Sequence, residues 1–419
     1  MMFYLVSRLS QTLSMLMLPR EMIGFKGKIN FTIGQSISLN DIEKVHLGRR
    51  EKAQMINRHL GQVVLGKTPI FTTLKSIIHP VNRKAIRNEL KTAERLGTTL
   101  DNKHILMIDY KENTFVMDEI GRLREITFRA IGEGSNRAID LDAFDNYYQH
   151  MFLWDSAAKC LAGAYRMGFG DDLYEALGVK GFYLQELFRF EPEFHKIMKQ
   201  SIELGRAFII KAFQQKPMPL FLMWKGIVHT TLRYPNHKYL IGGVSISNRF
   251  SNFSKSLMIE FMKSHYYDPY MAQYVNPKKE FKVKLKDADK DFVFDVTDAD
   301  LNKFDKIIDE IEPGALRMPV LLKKYIKQNA RLIAFNVDPL FNNVVDGLIY
   351  IRISDIPEST VRPVMEEFQA ELERKYGPKK EATSKIKHIL MKNSLNFIQD
   401  GLGQFSMAFL APSRHMWGK

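Results

Sequence analysis

Cys160-Leu161-Ala162-Gly163-Ala164-Tyr165-Arg166-Met167-Gly168-Phe169 and, further on, Glu203-Leu204-Gly205-Arg206-Ala207-Phe208-Ile209-Ile210-Lys211 decide how this chain folds. Both are short apolar runs of strand length. Each carries an arginine inside the run, and the second opens on a glutamate, where a plain core strand would hold only apolar groups. Tyr147 to Trp154 pairs with the first run as a hairpin through Asp155-Ser156-Ala157-Ala158-Lys159. Ahead of the hairpin stand Asp140, Asp142 and Asp145. Before them, helical spacing runs from Met117 to Ile131 with Arg129 near its end.

Outward from this centre, strands and helices alternate. Strands are expected at Ile105 to Tyr110, Tyr239 to Ile246, Arg331 to Phe335 and Gly347 to Ile353. Helices are expected near Leu184–Phe190, Phe194–Ile202, Pro219–Leu232, Ser251–Ser264, Asp300–Ile311 and Leu316–Asn329, and from Pro357 onward. Such alternation with hairpins predicts an α/β (α+β) fold on a mixed central sheet flanked by helices. Residues 1–40 read as a helix and then an edge strand at Lys28–Ile37. Residues 41–98 read as helical, with Arg83, Lys84, Arg87, Lys91 and Arg95 making a basic connector. The domain boundaries expected are 1–48, 49–100, 101–360 and 361–419, with the pattern lost after residue 377.

Composition narrows the function classes. Hydrophobic residues make up 45% of the 419, enough for a large core. The single cysteine, Cys160, excludes a disulfide framework and is assigned to the core, which fits a cytoplasmic protein. The eleven histidines show no zinc-ligand spacing, and no Gly-rich dinucleotide or phosphate-loop fingerprint is present. The net charge of +14 sits in the flanks: residues 1–100 carry 16 Lys+Arg against 6 Asp+Glu, and 377–419 carry 7 against 2. A neutral centre between basic flanks argues against a nucleic-acid enzyme. It fits docking to an acidic carrier protein or an anionic membrane surface, or simply a solvated basic face.

Four motifs in order then carry a resemblance. They are Phe128-Arg129, Asp140-Leu141-Asp142-Ala143-Phe144-Asp145, Ala162-Gly163-Ala164-Tyr165-Arg166 and Ile202-Glu203-Leu204-Gly205-Arg206. Over residues 101–353 the chain resembles the Gcn5-related N-acyltransferase fold. It is most similar to the hemolysin-like branch of ornithine- and glycine-lipid N-acyltransferases and to the acyl-homoserine-lactone synthases. Pro319–Tyr325 and Phe335–Pro339 resemble the C-terminal part of the lipid branch. Residues 3–40 resemble the end of a glycerol-phosphate-type O-acyltransferase domain. That domain's His-x4-Asp pattern occurs at His104/Asp109 and His150/Asp155, but both fall on expected strands. There the two side chains would lie on opposite faces, about 16 Å apart, so the expectation is an inactive remnant.

The resemblance implies an enzyme that moves a long acyl chain from an acyl-carrier-protein (or CoA) thioester to an amino acid's amino group. The product would be an N-acyl amino acid, an aminolipid precursor. No bound cofactor or metal is implied. The alternative is a non-catalytic peripheral membrane module left from a bifunctional acyltransferase. The implied fold splays two neighbouring parallel strands to admit the thioester arm. These are placed at Leu161–Phe169 and Glu203–Ile209, with Gly168 and Gly170 allowing close approach to ligand. Glu203 is the candidate base for the ammonium, or a buried partner of Arg206 or Arg166. Arg206, Arg129 and Arg166 suit a carboxylate or phosphate, or else an ion-pair network with Asp142 and Asp145. Those aspartates would hold the acceptor ammonium, or cap the hairpin entry. Leu220, Phe221, Met223, Trp224, Ile227 and Val228 are core or line an acyl slot, and Lys323, Lys324, Lys327 and Arg331 form a basic face.

Overall fold

The computed structural model describes residues 36–376 except 38, 44, 68, 69, 72, 100, 101, 111–113, 215, 216, 288, 292–299, 313–316 and 340. The expected N-terminal helix, the start of the Lys28–Ile37 strand and the tail 377–419 lie outside the described residues. Backbone contacts divide the chain into two units, Met1–His79 with Asn136–Ile139, and Pro80–Ser135 with Asp140–Lys419.

In the first unit, β1 (Ser36–Ile37) is followed by α1 (Leu39–Glu43) and α2 (Arg49–Val64), and pairs antiparallel with β2 (Thr73–Leu74). His59 of α2 is buried. Its Nδ1 accepts the Phe71 N–H at 3.0 Å, and its ring lies 5.4 Å from that of Phe71.

The second unit begins with α3 (Arg83–Glu89), β3 (Glu94–Thr98), β4 (Lys103–Asp109), α4 (Phe115–Ala130), β5 (Gln149–Asp155) and β6 (Cys160–Phe169). It continues through α5 (Gly170–Leu177), β7 (Phe188–Phe190), α6 (Pro192–Lys199), β8 (Ser201–Ile209), α7 (Pro217–Arg233), β9 (Tyr239–Ile246), α8 (Asn252–His265) and β10 (Val275–Pro277). It ends with α9 (Leu301–Ile311), α10 (Val320–Ile326), β11 (Arg331–Asp338), β12 (Val344–Arg352) and α11 (Glu358–Tyr376). Eight strands form one mixed sheet in the order β11-β12-β9-β8-β6-β5-β4-β3, and β7 and β10 make a separate ribbon. On one face, α7, α8, α9 and α10 bury Trp224, Met258, Phe304 and Leu322 against Leu204, Leu240 and Ile349. On the other, α4 covers β4, β5 and β6 through Met117, Ile120 and Leu123, while α5 and α6 cover Ile241 and Leu348.

Local chemistry accounts for these elements. α4 starts where the Thr114 side chain accepts the Met117 N–H at 3.2 Å, and Glu89 accepts the free N–H groups of Phe115 and Val116. Its apolar stripe of Val116, Met117, Ile120 and Leu123 recurs at helical spacing. Two expectations are corrected. Glu94–Thr98 is an edge strand and not part of a helical connector. Leu184–Phe190 is a 3-10 turn (Tyr183–Glu186) followed by β7. Gly170–Leu177, left unassigned from sequence, is a helix.

The largest correction concerns the splay. β6 and β8 are antiparallel and paired along their length. The parallel pair is β8 with β9, joined from Ser201–Tyr239 to Leu204–Gly242, with no described pairing beyond. The strands part at a bulge: Arg166 faces Gly205 and Ala164 faces Phe208, so two residues, Arg206 and Ala207, oppose Tyr165 alone. Arg206 takes a left-handed φ of 50°. The bulge falls in the stretch of β8 where described pairing with β9 has ended. A Cβ on Gly205 would meet nothing within 4 Å, and one on Gly243 only Leu184 Cδ2 at 3.9 Å.

Candidate active site

The segment after α4 folds back on itself at Asp142. Its carboxylate accepts the Phe144 N–H at 3.0 Å, and its own N–H donates to Asp145 Oδ2 at 2.7 Å. This reciprocal cap turns both carboxylates toward three arginines. Arg166 of β6 donates to Asp142 Oδ1 at 2.6 Å and to Asp145 Oδ1 at 3.4 Å. Arg124 of α4 donates to Asp145 Oδ1 and to the Asp140 carbonyl, each at 3.1 Å. Arg206 of β8 donates to Asp142 Oδ2 at 3.2 Å. Arg124, Arg166 and Asp145 are fully buried. Burial opposes ionisation of Asp145, yet Arg124 and Arg166 outweigh it and hold the carboxyl well below the usual range. Asp142 is lowered in the same way by Arg166 and Arg206 against its burial. The Arg166 guanidinium also faces the rings of Tyr148 and Tyr183 at 5.0 and 5.3 Å.

Glu203 lies on β8 one residue before the last β8–β9 pair and is 2% exposed. The Tyr148 hydroxyl donates to its Oε2 at 2.7 Å and accepts the Tyr183 N–H at 2.9 Å. The Leu184 N–H donates to Oε1 at 3.0 Å. Burial pushes the Glu203 carboxyl up to about 7, against the lowering pull of Tyr148, Arg166 and the two backbone donors. A carboxyl titrating there can take a proton at neutral pH.

Beyond the parting of the strands, a second carboxyl faces the same region. Asp346 of β12 sits opposite Ser245 of β9 and accepts its hydroxyl at 2.6 Å. Burial lifts Asp346 to about 6, helped by the charge of Asp338 and opposed by Ser245 and Arg206. The Arg206 guanidinium packs on the rings of Phe341 at 4.6 Å and Tyr183 at 5.3 Å.

Of the residues singled out from sequence, Arg166, Arg206, Asp142 and Asp145 meet in one network, with Glu203 joined to it through Tyr148 and the charge of Arg166. Arg129 instead bonds Glu125 at 2.6 Å, while Glu125 also accepts Ser135. The α4 residue on the acidic pair is Arg124, at the position one turn after Ile120 where the apolar stripe calls for an apolar residue. That misfit was the missed signal. Gly168 does not make room for a ligand: a Cβ there would stand 2.5 Å from the Tyr148 ring and 2.6 Å from Leu173, so the space is already filled. A Cβ on Gly170 would overlap the Met198 carbonyl. Neither His-x4-Asp pair forms. Asp155 takes Lys103, His150 faces Asp145 at 3.7 Å, and His104 meets Thr98 at 3.1 Å. Tyr148, Tyr183, Asp346 and Phe341 carried no motif in sequence.

Comparison with known proteins matches residues 123–224 to an acetyltransferase (GNAT) domain. Two curated relatives are each called glycine N(alpha)-acyltransferase. One, from Bacteroides thetaiotaomicron, is 27% identical over 299 residues, 68% of this chain and 88% of the relative. The other, from Phocaeicola vulgatus, is 27% identical over 301 residues, 68% of this chain and 91% of the relative. A crystal structure of the AHL synthase LasI aligns at 12% identity and a TM-score of 0.23, over 39% of this chain and 79% of that one, too slight for inference. The mixed, helix-flanked sheet is consistent with the GNAT match, and the matches identify the protein as an acyltransferase. No described helix is long and apolar enough to cross a membrane.

Proposed function

We propose that the protein transfers a long acyl chain from a carrier-protein or CoA thioester to the amino group of an amino acid, with glycine the first acceptor to test. The product is an N-acyl amino acid, a precursor for an aminolipid. The observation carrying this reading is the parting of β8 from β9 one residue after a buried glutamate that titrates near neutrality. The thioester arm enters the cleft between residues 205–209 and 243–246. Backbone N–H groups on these facing edges, which lack β8–β9 pairing, polarise the thioester carbonyl. Glu203 takes the proton from the acceptor ammonium. The amine nitrogen attacks the carbonyl carbon, the C–S bond breaks, and the departing sulfur takes the second proton from nitrogen to leave as the thiol. Arg206, beside Tyr183 and Phe341, attracts the acceptor carboxylate. The curated relatives' names support glycine as acceptor.

The test follows thiol release from acyl-carrier and acyl-CoA thioesters with a panel of amino acids and with amines lacking a carboxylate. Release that requires an α-amino acid, with N-acyl product found by mass spectrometry, supports the reading. Release without amine, or none with any acceptor, sinks it.

A further inference from the structure

We infer that the outer face shared by α7 and α10 docks on an anionic lipid bilayer. Met218 and Phe221, one turn apart on α7, are each 49% exposed, and Val320 on α10 is 64% exposed. Lys324, one turn after Val320, places its Nζ 5.9 Å from the centre of the Phe221 ring, so the two helices present one continuous patch. A single exposed apolar side chain needs no explanation. Three large ones gathered beside lysines on adjacent helices form a surface suited to a partner.

Charge selects that partner. Lys323 turns aside to Asp305, and Lys225, one turn beyond Phe221, is held by Glu367 at 2.6 Å. The positive character of the patch therefore comes from Lys324 and Lys327. They lie close enough that Lys327, after desolvation, lowers the pKa of Lys324. Apolar tips beside lysine ammonium groups match a surface that enters the headgroup region, with the ammonium groups at the phosphates. An acidic protein surface would instead favour a face of charges with few apolar groups between them. The bilayer role goes beyond the acyl-transfer reading and is measured without turnover, so either can fail alone.

The experiment sediments the full chain with vesicles of phosphatidylcholine alone or with one third phosphatidylglycerol, over a series of salt concentrations. Binding is expected only to the anionic vesicles and to weaken with salt. K324E/K327E is expected to lower the partition constant about tenfold or more, and Phe221→Gln about fivefold. Phe221 and Lys327 are exposed and Lys324 is half-buried, and an unchanged urea midpoint shows that both variants fold. No partition into anionic vesicles, or equal partition by both folded variants, overturns the proposal. So does vesicle binding that is unchanged while KM for a carrier-borne thioester rises, which would assign the face to an acidic carrier protein.

Discussion

Replacing Glu203 by Gln separates two effects that one residue exerts. In the wild type, burial raises the carboxyl from 4.5 to about 7, a cost to the ionised form of about 3 kcal/mol at high pH. Because the folded value lies above the unfolded one, the carboxyl's contribution to stability is complete below about pH 4.5 and lost as pH rises through about 7. Glutamine has no such loss, and its amide NH2, like the O–H of the protonated carboxyl, can donate to the Tyr148 oxygen while the Tyr148 hydroxyl turns to the Gly181 carbonyl, 3.3 Å away. The variant should therefore be about as stable as wild type at pH 4.5 and about 3 kcal/mol more stable at pH 9. Urea unfolding at the two pH values reads this divergence. In parallel, wild-type kcat/KM should fall as pH drops through about 7, and the variant should lose turnover by a hundredfold or more. A stability difference that does not change with pH would refute the buried, uncharged carboxyl. A pH-dependent divergence accompanied by wild-type turnover would leave Glu203 a structural group and remove it as the base.

Other perturbations probe its surroundings. Asp145→Asn leaves Arg124 and Arg166 buried with one carboxylate fewer and should cost about 3–5 kcal/mol at pH 7. Since the native Asp145 is depressed, the wild type should shed this contribution only as pH falls below about 4, and the variant's acid limb should be flatter in circular-dichroism titrations. Gly168→Ala drives a methyl into Tyr148 and Leu173 and should lower the urea-derived stability by about 1–3 kcal/mol. Asp346→Asn removes a carboxyl raised from 3.8 to about 6. It should be near neutral at pH 4 and gain about 2 kcal/mol at pH 8, as the wild-type contribution disappears with rising pH. An equal Tm change at both pH values would contradict it.

The sequence was most legible where period and length agree. The hairpin of β5 and β6, the start of β8 and the apolar helix α7 follow from short strand-like runs and an unbroken apolar helix. It was least legible where a residue's role depends on what lies across the fold. Arg129 and Arg124 sit on one helix, and only the depth of α4 against β6 decides which reaches Asp145. Gly168 and Gly205 look alike in sequence, yet one backs onto Tyr148 and the other onto open space. The splay was assigned to the wrong strand pair because parallel and antiparallel neighbours share the same apolar composition. Register, not composition, distinguishes them. Asp346 was invisible for the same reason: its partners Ser245 and Arg206 come from other strands.

Register also bears on whether the buried charges act or only hold one another. A non-glycine residue at φ 50° costs about 1 kcal/mol, and Arg206 adopts it inside a strand. What offsets that strain is its side chain, tied to Asp142 at 3.2 Å and packed on Phe341 and Tyr183. Asp142 in turn is held by Arg166 and by its reciprocal cap with Asp145, which Arg124 secures. The network therefore bears on the bulge at Arg206, in the stretch of β8 that no longer pairs with β9. On the acyl-transfer reading, the ion-pair network and the site are one object, since the pairs hold the backbone where the thioester arm would enter.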